Sequence, residues 1–251
     1  MGNYYFNTTS VSRGKGMSLA RRSNYITGLP MRKFHSGDIY SRRRDDVLFV
    51  RVFLPLTAPA DFYDLQTLVD HAEMAEHRKD ARTARDIKGS LPNELHVSEL
   101  KDIVTEFITH NFVSRKLAVI AAIHAGENQQ DPTRNNPHVH MLISTRTLGP
   151  EGFSTSKYTE LDKRSTLFAW RADWARVQNE AYARHDLITR VDHRSLREKG
   201  VEREPLPYLS RADWWREKHG ERTEAGDLRR TVIARNAEND RVRQLEHERD
   251  I

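Results

Sequence analysis

The sequence contains no cysteine and no apolar run near the length that crosses a membrane. The first absence excludes disulfide bonds and thiolate metal sites. The second excludes a transmembrane helix, which needs about 20 predominantly apolar residues. The amino-terminal residues MGNYYFNTTS also lack the apolar stretch of a secretory signal. We therefore expect a cytoplasmic protein without membrane insertion.

Charge is abundant and unevenly distributed. Of the 251 residues, 31% are charged and 37% hydrophobic, which fits one large domain with a modest core. The net charge is +5, but residues 1–44 alone carry +8 and the remainder carries −3. A cationic segment on a slightly acidic body indicates a polyanion bound at one place. A solvated basic arm would have the same composition.

Hydrophobic periodicity predicts strands and helices without regular alternation. Strands are predicted at 3–9, 47–55, 86–92, 116–125 and 137–147, and helices at 18–28, 61–85, 98–112 and 163–184. This pattern favours an α+β fold, with a central antiparallel sheet of about five strands flanked by helices. After residue 209 the sequence is mostly charged and helix-favouring. We therefore predict a domain at 1–209 and a peripheral, charged helical tail or linker at 210–251.

The stretch NPHVHMLIS, residues 136–144, places two histidines one residue apart in an otherwise apolar strand. Side chains on a strand alternate between faces, so His138 and His140 share one face. The preceding strand ends at His124, and an antiparallel hairpin would bring that residue beside them. Three imidazoles with one side open suit a divalent transition-metal ion. For any single histidine, a hydrogen-bonded position in the core is the alternative.

Such an ion can activate water, as in a hydrolase, or polarise a phosphate for another nucleophile. No acidic residue follows the histidines at a spacing suited to activating water. Tyr25 lies in the basic segment, one helical turn after Arg21 and Arg22, and nearby cations lower the cost of forming a phenolate. An ordinary packing role is open for this tyrosine. The competing tyrosines are Tyr4, Tyr5 and Tyr40.

Several segments, in the same order, resemble the MobA/MobL (MobQ-type) family of plasmid mobilisation relaxases, which belong to the HUH endonuclease superfamily. They are SVSRGKGMSLARRSNYITG, RTARDIKGSLPNEL, NNPHVHMLISTRTLGPEGF and VDHRSLREKGVEREP. The likeness extends from about residue 3 to residue 209 and implies an HUH relaxase-like fold. In that family, a tyrosine after an S-R-x-x-G segment attacks DNA, and Tyr25 has this position. The family's metal ligands match His124, His138 and His140.

The resemblance implies a site- and strand-specific DNA nickase and strand transferase, a metal-dependent relaxase of bacterial conjugation. Such an enzyme cleaves the origin of transfer, oriT, through a covalent 5′-phosphotyrosine during plasmid mobilisation. The expected ion is Mn²⁺ or Mg²⁺, with Zn²⁺, Co²⁺ or Ni²⁺ as alternatives. The expected partners are single-stranded oriT DNA, accessory relaxosome proteins and a type IV coupling protein. The basic residues expected to contact DNA are Arg13, Lys15, Arg21, Arg22, Arg42, Arg43 and Arg44.

The chain departs from the family on the strand before Leu-Pro, where relatives often carry acidic residues. Asp86 is present, but Lys88 stands in place of a second carboxylate. Asp86 is therefore a candidate general base or a support for a ligand histidine. Three rival functions remain: a rolling-circle replication initiator, a metal-dependent nuclease that uses water, and a DNA-binding protein without activity. Initiators usually place the tyrosine after the H-x-H, whereas Tyr25 precedes it.

Overall fold

In the computed structural model of the protein, the described residues are 4–128, 131 and 135–249. Residue 3 of the first predicted strand, and part of the polar loop 126–136, lie outside them. The strands are β1 (Phe6–Ser12), β2 (Met31–Arg32), β3 (Ile39–Tyr40), β4 (Val47–Phe53), β5 (Arg82–Ser90), β6 (Val119–His124), β7 (His138–Ser144), β8 (Arg146–Gly149) and β9 (Gly152–Lys157). The α-helices are α1 (Leu19–Thr27), α2 (Leu65–Met74), α3 (Val97–Asn111), α4 (Arg164–Arg184), α5 (Arg211–Lys218) and α6 (Glu224–Arg249).

The chain forms two compact units, Met1–His193 and Arg194–Ile251. The first is built on a five-stranded sheet with the order β1-β5-β7-β6-β4. Every neighbouring pair in it is antiparallel, including the hairpin of β6 and β7. The predicted α+β class, the antiparallel sheet and this hairpin are therefore confirmed. The β2–β3 hairpin and β9 were not predicted as strands. The single strand predicted over 137–147 is wrong, because β7 ends at Ser144 and β8 begins at Arg146.

Both faces of the central sheet are covered by helices. On one face, Ile123 and Met141 belong to a core with α3 and α4, in which Trp174 is fully buried. On the other face, Ala122 and Leu142 belong to a core with α1 and α2. Because side chains alternate along a strand, the three histidines of β6 and β7 lie on this second face. They therefore face α1, the helix that carries the candidate tyrosine.

Helix α1 has clear signals at both ends. The Ser18 hydroxyl accepts a hydrogen bond from the backbone N–H of Arg21, at 3.3 Å. At the other end, Gly28 adopts a left-handed conformation with φ of 70°, and its N–H donates to the carbonyl oxygen of Asn24. The buried Ile26 anchors the helix on the sheet. The predicted start and end of this helix are both confirmed.

One predicted helix is too long. The apolar pattern predicted a helix over 61–85, but α2 ends at Met74 and the chain enters β5 at Arg82. The strand expected from residue 86 therefore begins earlier. The physical reason is distant in sequence: the Arg13 guanidinium donates to backbone carbonyl oxygens within Glu73–Arg78. Those bonds hold the chain in a turn, and β5 then pairs with β1 along its length.

The second unit contains α5 and α6, which agrees with the helical character predicted for the tail. Helix α5 is capped by Ser210, whose hydroxyl accepts from the backbone N–H of Asp213 at 3.0 Å. The proposed domain division after residue 209 stays a prediction. Across the described ranges, the helices lack either the length or the apolar content that a bilayer span requires.

Candidate active site

Three histidines from β6 and β7 come together on the α1 side of the sheet. His124 pairs directly with His138 in the antiparallel register, and His140 lies opposite Ala122. Their ring centroids are 5.0 to 5.3 Å apart. One nitrogen from each ring lies within 4.8 Å of the other two. Nitrogens that each bind one ion at about 2.1 Å are at most about 4.2 Å apart, so this cluster is close to a coordinating geometry.

Hydrogen bonds leave a free nitrogen on two of these rings. The Nε2 of His124 lies 2.7 Å from the carbonyl oxygen of Ile26, and the Nδ1 of His138 lies 2.8 Å from that of Asn136. A carbonyl oxygen only accepts, so each of these nitrogens carries the proton and donates. The other nitrogen of each ring keeps its lone pair. In the described part of the chain, the buried His124 Nδ1 has no hydrogen-bond partner, which fits a metal ligand.

Burial keeps the imidazoles in the neutral form that binds metals. It lowers the pKa of His138 to about 4 and the pKa of His140 to about 2. Nearby cations, Arg22 and Lys88 among them, act in the same direction. Burial also lowers the pKa of His124. At neutral pH these rings therefore need not lose a proton before they coordinate an ion.

The ion pair between Arg22 and Asp86 lies next to the Nδ1 of His140. This Nδ1 lies 3.1 Å from the Arg22 Nη2 and 4.0 Å from the Asp86 Oδ1. The Nε of Arg22 donates to the Asp86 Oδ2 at 2.6 Å, whereas Oδ1 is buried with no partner among the described residues. Burial raises the pKa of Asp86, against the lowering effect of Arg22. A guanidinium only donates, so in this arrangement the Nδ1 of His140 accepts from Arg22. Exchange of this contact for one in which Oδ1 accepts from a protonated Nδ1 would leave Nε2 free for an ion.

Tyr25 lies beside the histidine cluster. Its ring meets the His140 ring edge-to-face, with centroids 6.0 Å apart. The guanidinium groups of Arg22, Arg42 and Arg44 lie 4.7, 5.8 and 4.9 Å from the centre of the tyrosine ring. Burial acts to raise the pKa of the phenol, but the hydrogen bond and charge of Arg44, with the charge of Arg22, bring it below 10. The surroundings therefore lower the cost of forming a phenolate.

The competing tyrosines have other positions. The Tyr4 hydroxyl donates to the carbonyl oxygen of Arg171 in α4 at 2.8 Å, on the opposite face of the sheet. Burial raises the pKa of Tyr4 to about 12, so its phenolate is disfavoured. Tyr40 lies on the β2–β3 hairpin beneath the Lys33 ammonium, and Tyr5 is half-exposed. Tyr25 is the tyrosine with a ring contact to a cluster histidine.

The basic residues predicted to contact DNA differ in their surroundings. Arg44 forms a bidentate ion pair with Asp46 and also donates a hydrogen bond to the Tyr25 carbonyl oxygen. Arg13 lies apart, where its guanidinium donates to the Glu73 carboxylate and to nearby carbonyl oxygens. Those contacts give Arg13 a structural role, and its predicted DNA contact stays untested. The exposed members of the set are Lys15, Arg21, Arg42 and Arg43.

Lys88 is part of this site, although sequence reasoning assigned it no function. It pairs with His140 across β5 and β7, and alternation places it on the same face of β5 as Asp86. Its charge acts on the pKa values of Tyr25, His124 and His138. Burial in turn lowers the pKa of Lys88. The signal that could have identified it is its spacing of two residues from Asp86.

Comparison with known proteins gives a family match over most of the chain. The model of the MobA/MobL family matches residues 18–212. The probable mobilization protein MobA of Bifidobacterium longum is 27% identical over 248 residues, covering 82% of this chain and 42% of that protein. Mobilization protein A of Escherichia coli is 28% identical, covering 95% of this chain and 33% of that protein. The chain thus spans less than half the length of these two relatives.

Solved structures share the fold. One, described as the molecular basis of vancomycin resistance transfer in Staphylococcus aureus, has a TM-score of 0.69 and 24% identity, and covers 77% of this chain and 100% of its own. The conjugative relaxase TrwC, solved with oriT DNA and bound metal, has a TM-score of 0.50 and 10% identity, and covers 94% of this chain and 99% of its own. These likenesses confirm the expected relaxase-like fold.

Proposed function

The chain belongs to the MobA/MobL family, and on that premise we propose that it is a site- and strand-specific DNA nickase and strand transferase, a relaxase that acts at oriT. One observation carries the proposal: a tyrosine with a lowered pKa lies against one ring of a cluster of three neutral histidines. Relatives named as mobilization proteins, and a similar fold solved with oriT DNA, support this substrate. The physiological setting is bacterial plasmid mobilisation.

The reaction is an exchange of one phosphodiester for another. The Tyr25 oxygen attacks the scissile phosphorus in line, a bond from this oxygen to phosphorus forms, and the bond from phosphorus to the 3′ oxygen breaks. The 5′ phosphate stays on Tyr25, and the 3′ oxygen leaves as the hydroxyl, with a net gain of the proton that the phenol loses. Because the two ester bonds have similar energy, the step is reversible and can rejoin DNA without ATP. Asp86, whose pKa is raised by burial, is the candidate acceptor for the phenolic proton.

The three histidines would hold the metal ion of this reaction. The free nitrogens of His124 and His138, and the Nε2 of His140 once Asp86 accepts from its Nδ1, form the donor set. A divalent ion bound there supplies positive charge to the non-bridging oxygens of the phosphate. Mn²⁺ or Mg²⁺ is the ion we propose, and Zn²⁺, Co²⁺ and Ni²⁺ are the alternatives that an imidazole set also accepts.

We propose that DNA approaches the tyrosine from the start of α1. A cavity of about 210 Å³ beside Tyr25 is lined there by Gly16, Met17, Ser18, Arg21 and Arg22. The exposed Lys15, Arg21, Arg42 and Arg43 belong to the same basic segment and would bind backbone phosphates. Affinity for DNA should therefore fall steeply with salt. Accessory relaxosome proteins and a type IV coupling protein are the protein partners proposed from the family.

A covalent adduct is the direct test. The protein is incubated with single-stranded oligonucleotides tiled across the DNA next to its gene, with Mn²⁺ or Mg²⁺, and run on a denaturing gel. We expect an adduct that Tyr25→Phe abolishes and that Tyr40→Phe, the matched control, retains. An adduct in Tyr25→Phe would remove this tyrosine as the nucleophile.

The rival functions give different results in the same assay. Cleavage that EDTA stops, without any adduct, would indicate a nuclease that uses water. DNA binding that is sensitive to salt but not to EDTA, without cleavage, would indicate a DNA-binding protein. Replacement of His138 and His140 by alanine should abolish both Mn²⁺ binding and the adduct. Retention of both activities would refute the metal assignment.

A further inference from the structure

Lys88 forms no ion pair in the described structure, although the charge of Asp86 acts on it from a distance. Two arginines of the site have counterions within 2.6 Å, since Arg22 pairs with Asp86 and Arg44 pairs with Asp46. In the part of the chain that the structure describes, no carboxylate lies within ion-pair distance of the Lys88 ammonium. Among the cations around Tyr25 and the histidines, Lys88 and Arg42 have no ion pair in the described residues. Arg42 is exposed to solvent, whereas Lys88 is half-buried.

The position of Lys88 is central to the site. It lies in the strand next to the H-x-H, directly opposite His140, and on the face that looks toward α1. It is half-buried, so its charge is only partly solvated. It is also close enough to act electrostatically on Tyr25, on Asp86 and on all three histidines. The register with His140 thus places Lys88 on the same side of the sheet as an anion bound between Tyr25 and the histidines.

A half-buried cation without a counterion is unfavourable, and neighbouring cations increase the cost. Burial, Arg22 and Arg44 act against the charged form of Lys88, whereas Tyr25 and Asp86 act in its favour. Such an arrangement becomes favourable when a ligand supplies the missing negative charge. A phosphodiester carries that charge, with two oxygens that accept hydrogen bonds from an ammonium.

We propose that the Lys88 ammonium binds a non-bridging oxygen of the scissile phosphodiester. The inference rests on the proposed nicking function and adds a residue to it, at a position where relatives often carry a carboxylate. Lys88 holds the phosphate against Tyr25 and offsets the negative charge that develops on its oxygens as the phenol attacks.

This role predicts opposite effects on two ligands. Lys88 repels a divalent cation in the histidine cluster and attracts a phosphate beside it. Replacement by methionine removes both effects while keeping much of the side-chain volume. We therefore expect Lys88→Met to bind Mn²⁺ at least about threefold more tightly in the absence of DNA, and to bind the DNA substrate about tenfold more weakly. A residue needed only for folding would weaken both.

The DNA measurement uses proteins that also carry Tyr25→Phe, so that binding is measured without cleavage. Two oligonucleotides are compared, one with a normal phosphodiester at the mapped cleavage position and one with an uncharged methylphosphonate there. Lys88→Met should lose about tenfold in affinity for the first and less than about twofold for the second. Lys88→Arg should keep most of the affinity for the phosphodiester. Lys101→Met, on α3 across the sheet, is the matched control and should leave both affinities unchanged.

The outcomes distinguish a failure of the proposed Lys88 contact from a failure of the proposed nicking function. An equal loss on both oligonucleotides would overturn the contact with the scissile phosphate, and so would weaker Mn²⁺ binding in Lys88→Met. If that variant does not fold, the comparison is made with Lys88→Gln, under the same criteria. A wild-type protein that forms no adduct refutes the nicking function itself. An adduct in the wild type, with unchanged DNA affinity in Lys88→Met, removes the assignment of Lys88 alone.

Discussion

Replacing Asp86 with asparagine removes the charge that lies between Arg22 and His140. One carboxylate oxygen accepts from Arg22 at 2.6 Å, and the other lies 4.0 Å from the Nδ1 of His140. An amide keeps the shape of the side chain but is a weaker acceptor and can turn its NH₂ group toward the ring. We therefore expect Asp86→Asn to fold and to bind Mn²⁺ more weakly than the wild type.

Two contributions set the size of the effect. Loss of an acceptor behind a metal-binding imidazole typically costs about 10- to 100-fold in metal affinity. A hydrogen bond to a charged partner contributes about 1.5–3 kcal/mol to stability. The lower part of that range applies to Asp86, because 21% of the Arg22 side chain remains exposed to water. We expect about a tenfold loss of Mn²⁺ affinity and a free energy of unfolding lower by about 1.5–2 kcal/mol.

Isothermal titration with Mn²⁺ in the absence of DNA measures the affinity, and urea denaturation in EDTA measures the stability. Asp173→Asn is the matched control. Asp173 is 15% exposed and accepts from Arg176 and Asn111, but it lies on α4, across the sheet from the histidines. It should lose stability and keep its Mn²⁺ affinity. Affinity within twofold of wild type in Asp86→Asn, or an equal loss in Asp173→Asn, would refute the reasoning.

The remaining predictions concern pH, packing and the nucleophile. The folded pKa of His140, about 2 in the metal-free protein, lies below its unfolded value of about 6.5. The stability that the neutral ring contributes is therefore fully present above pH 6.5 and lost as the pH falls. Between pH 6.5 and 5.5, the free energy of unfolding measured by urea denaturation should fall less steeply with pH in His140→Gln than in the wild type. The difference in slope should be up to about 1.4 kcal/mol per pH unit. Equal slopes would contradict the burial of a neutral ring. Gly89→Ala places a Cβ 2.8 Å from the Trp174 ring, so we expect a loss of about 1–3 kcal/mol, and an unchanged Tm would count against this contact. Arg44→Gln removes the hydrogen bond that lowers the pKa of Tyr25, so the phenol pKa should rise. An ultraviolet titration measures it, as the difference between this variant and the same variant that also carries Tyr25→Phe. An unchanged phenol pKa would exclude Arg44 as the cause.

Local patterns predicted those parts of the fold that depend on neighbours in sequence. Alternation along β7, and an antiparallel hairpin with β6, were enough to predict His124 beside His138. Capping residues correctly gave both ends of α1. The end of α2 was missed because Arg13, about sixty positions earlier, determines it through its bonds to that turn.

The residues that surround the histidine cluster are also brought together by contacts between positions far apart in sequence. Arg22 lies 64 positions from Asp86 and 118 from His140, so no local pattern indicates that the three side chains meet. Charge counting has the same limit. It identifies the cations of the basic segment, yet Arg13 and Arg21 are equivalent in sequence, and only the fold shows that a buried glutamate neutralises Arg13. The number of cations is thus a property of the sequence, whereas the cations left for DNA are those that the fold has not already paired. By that criterion Lys88, which was set aside as a departure from the family pattern, is a better candidate for a phosphate contact than Arg13.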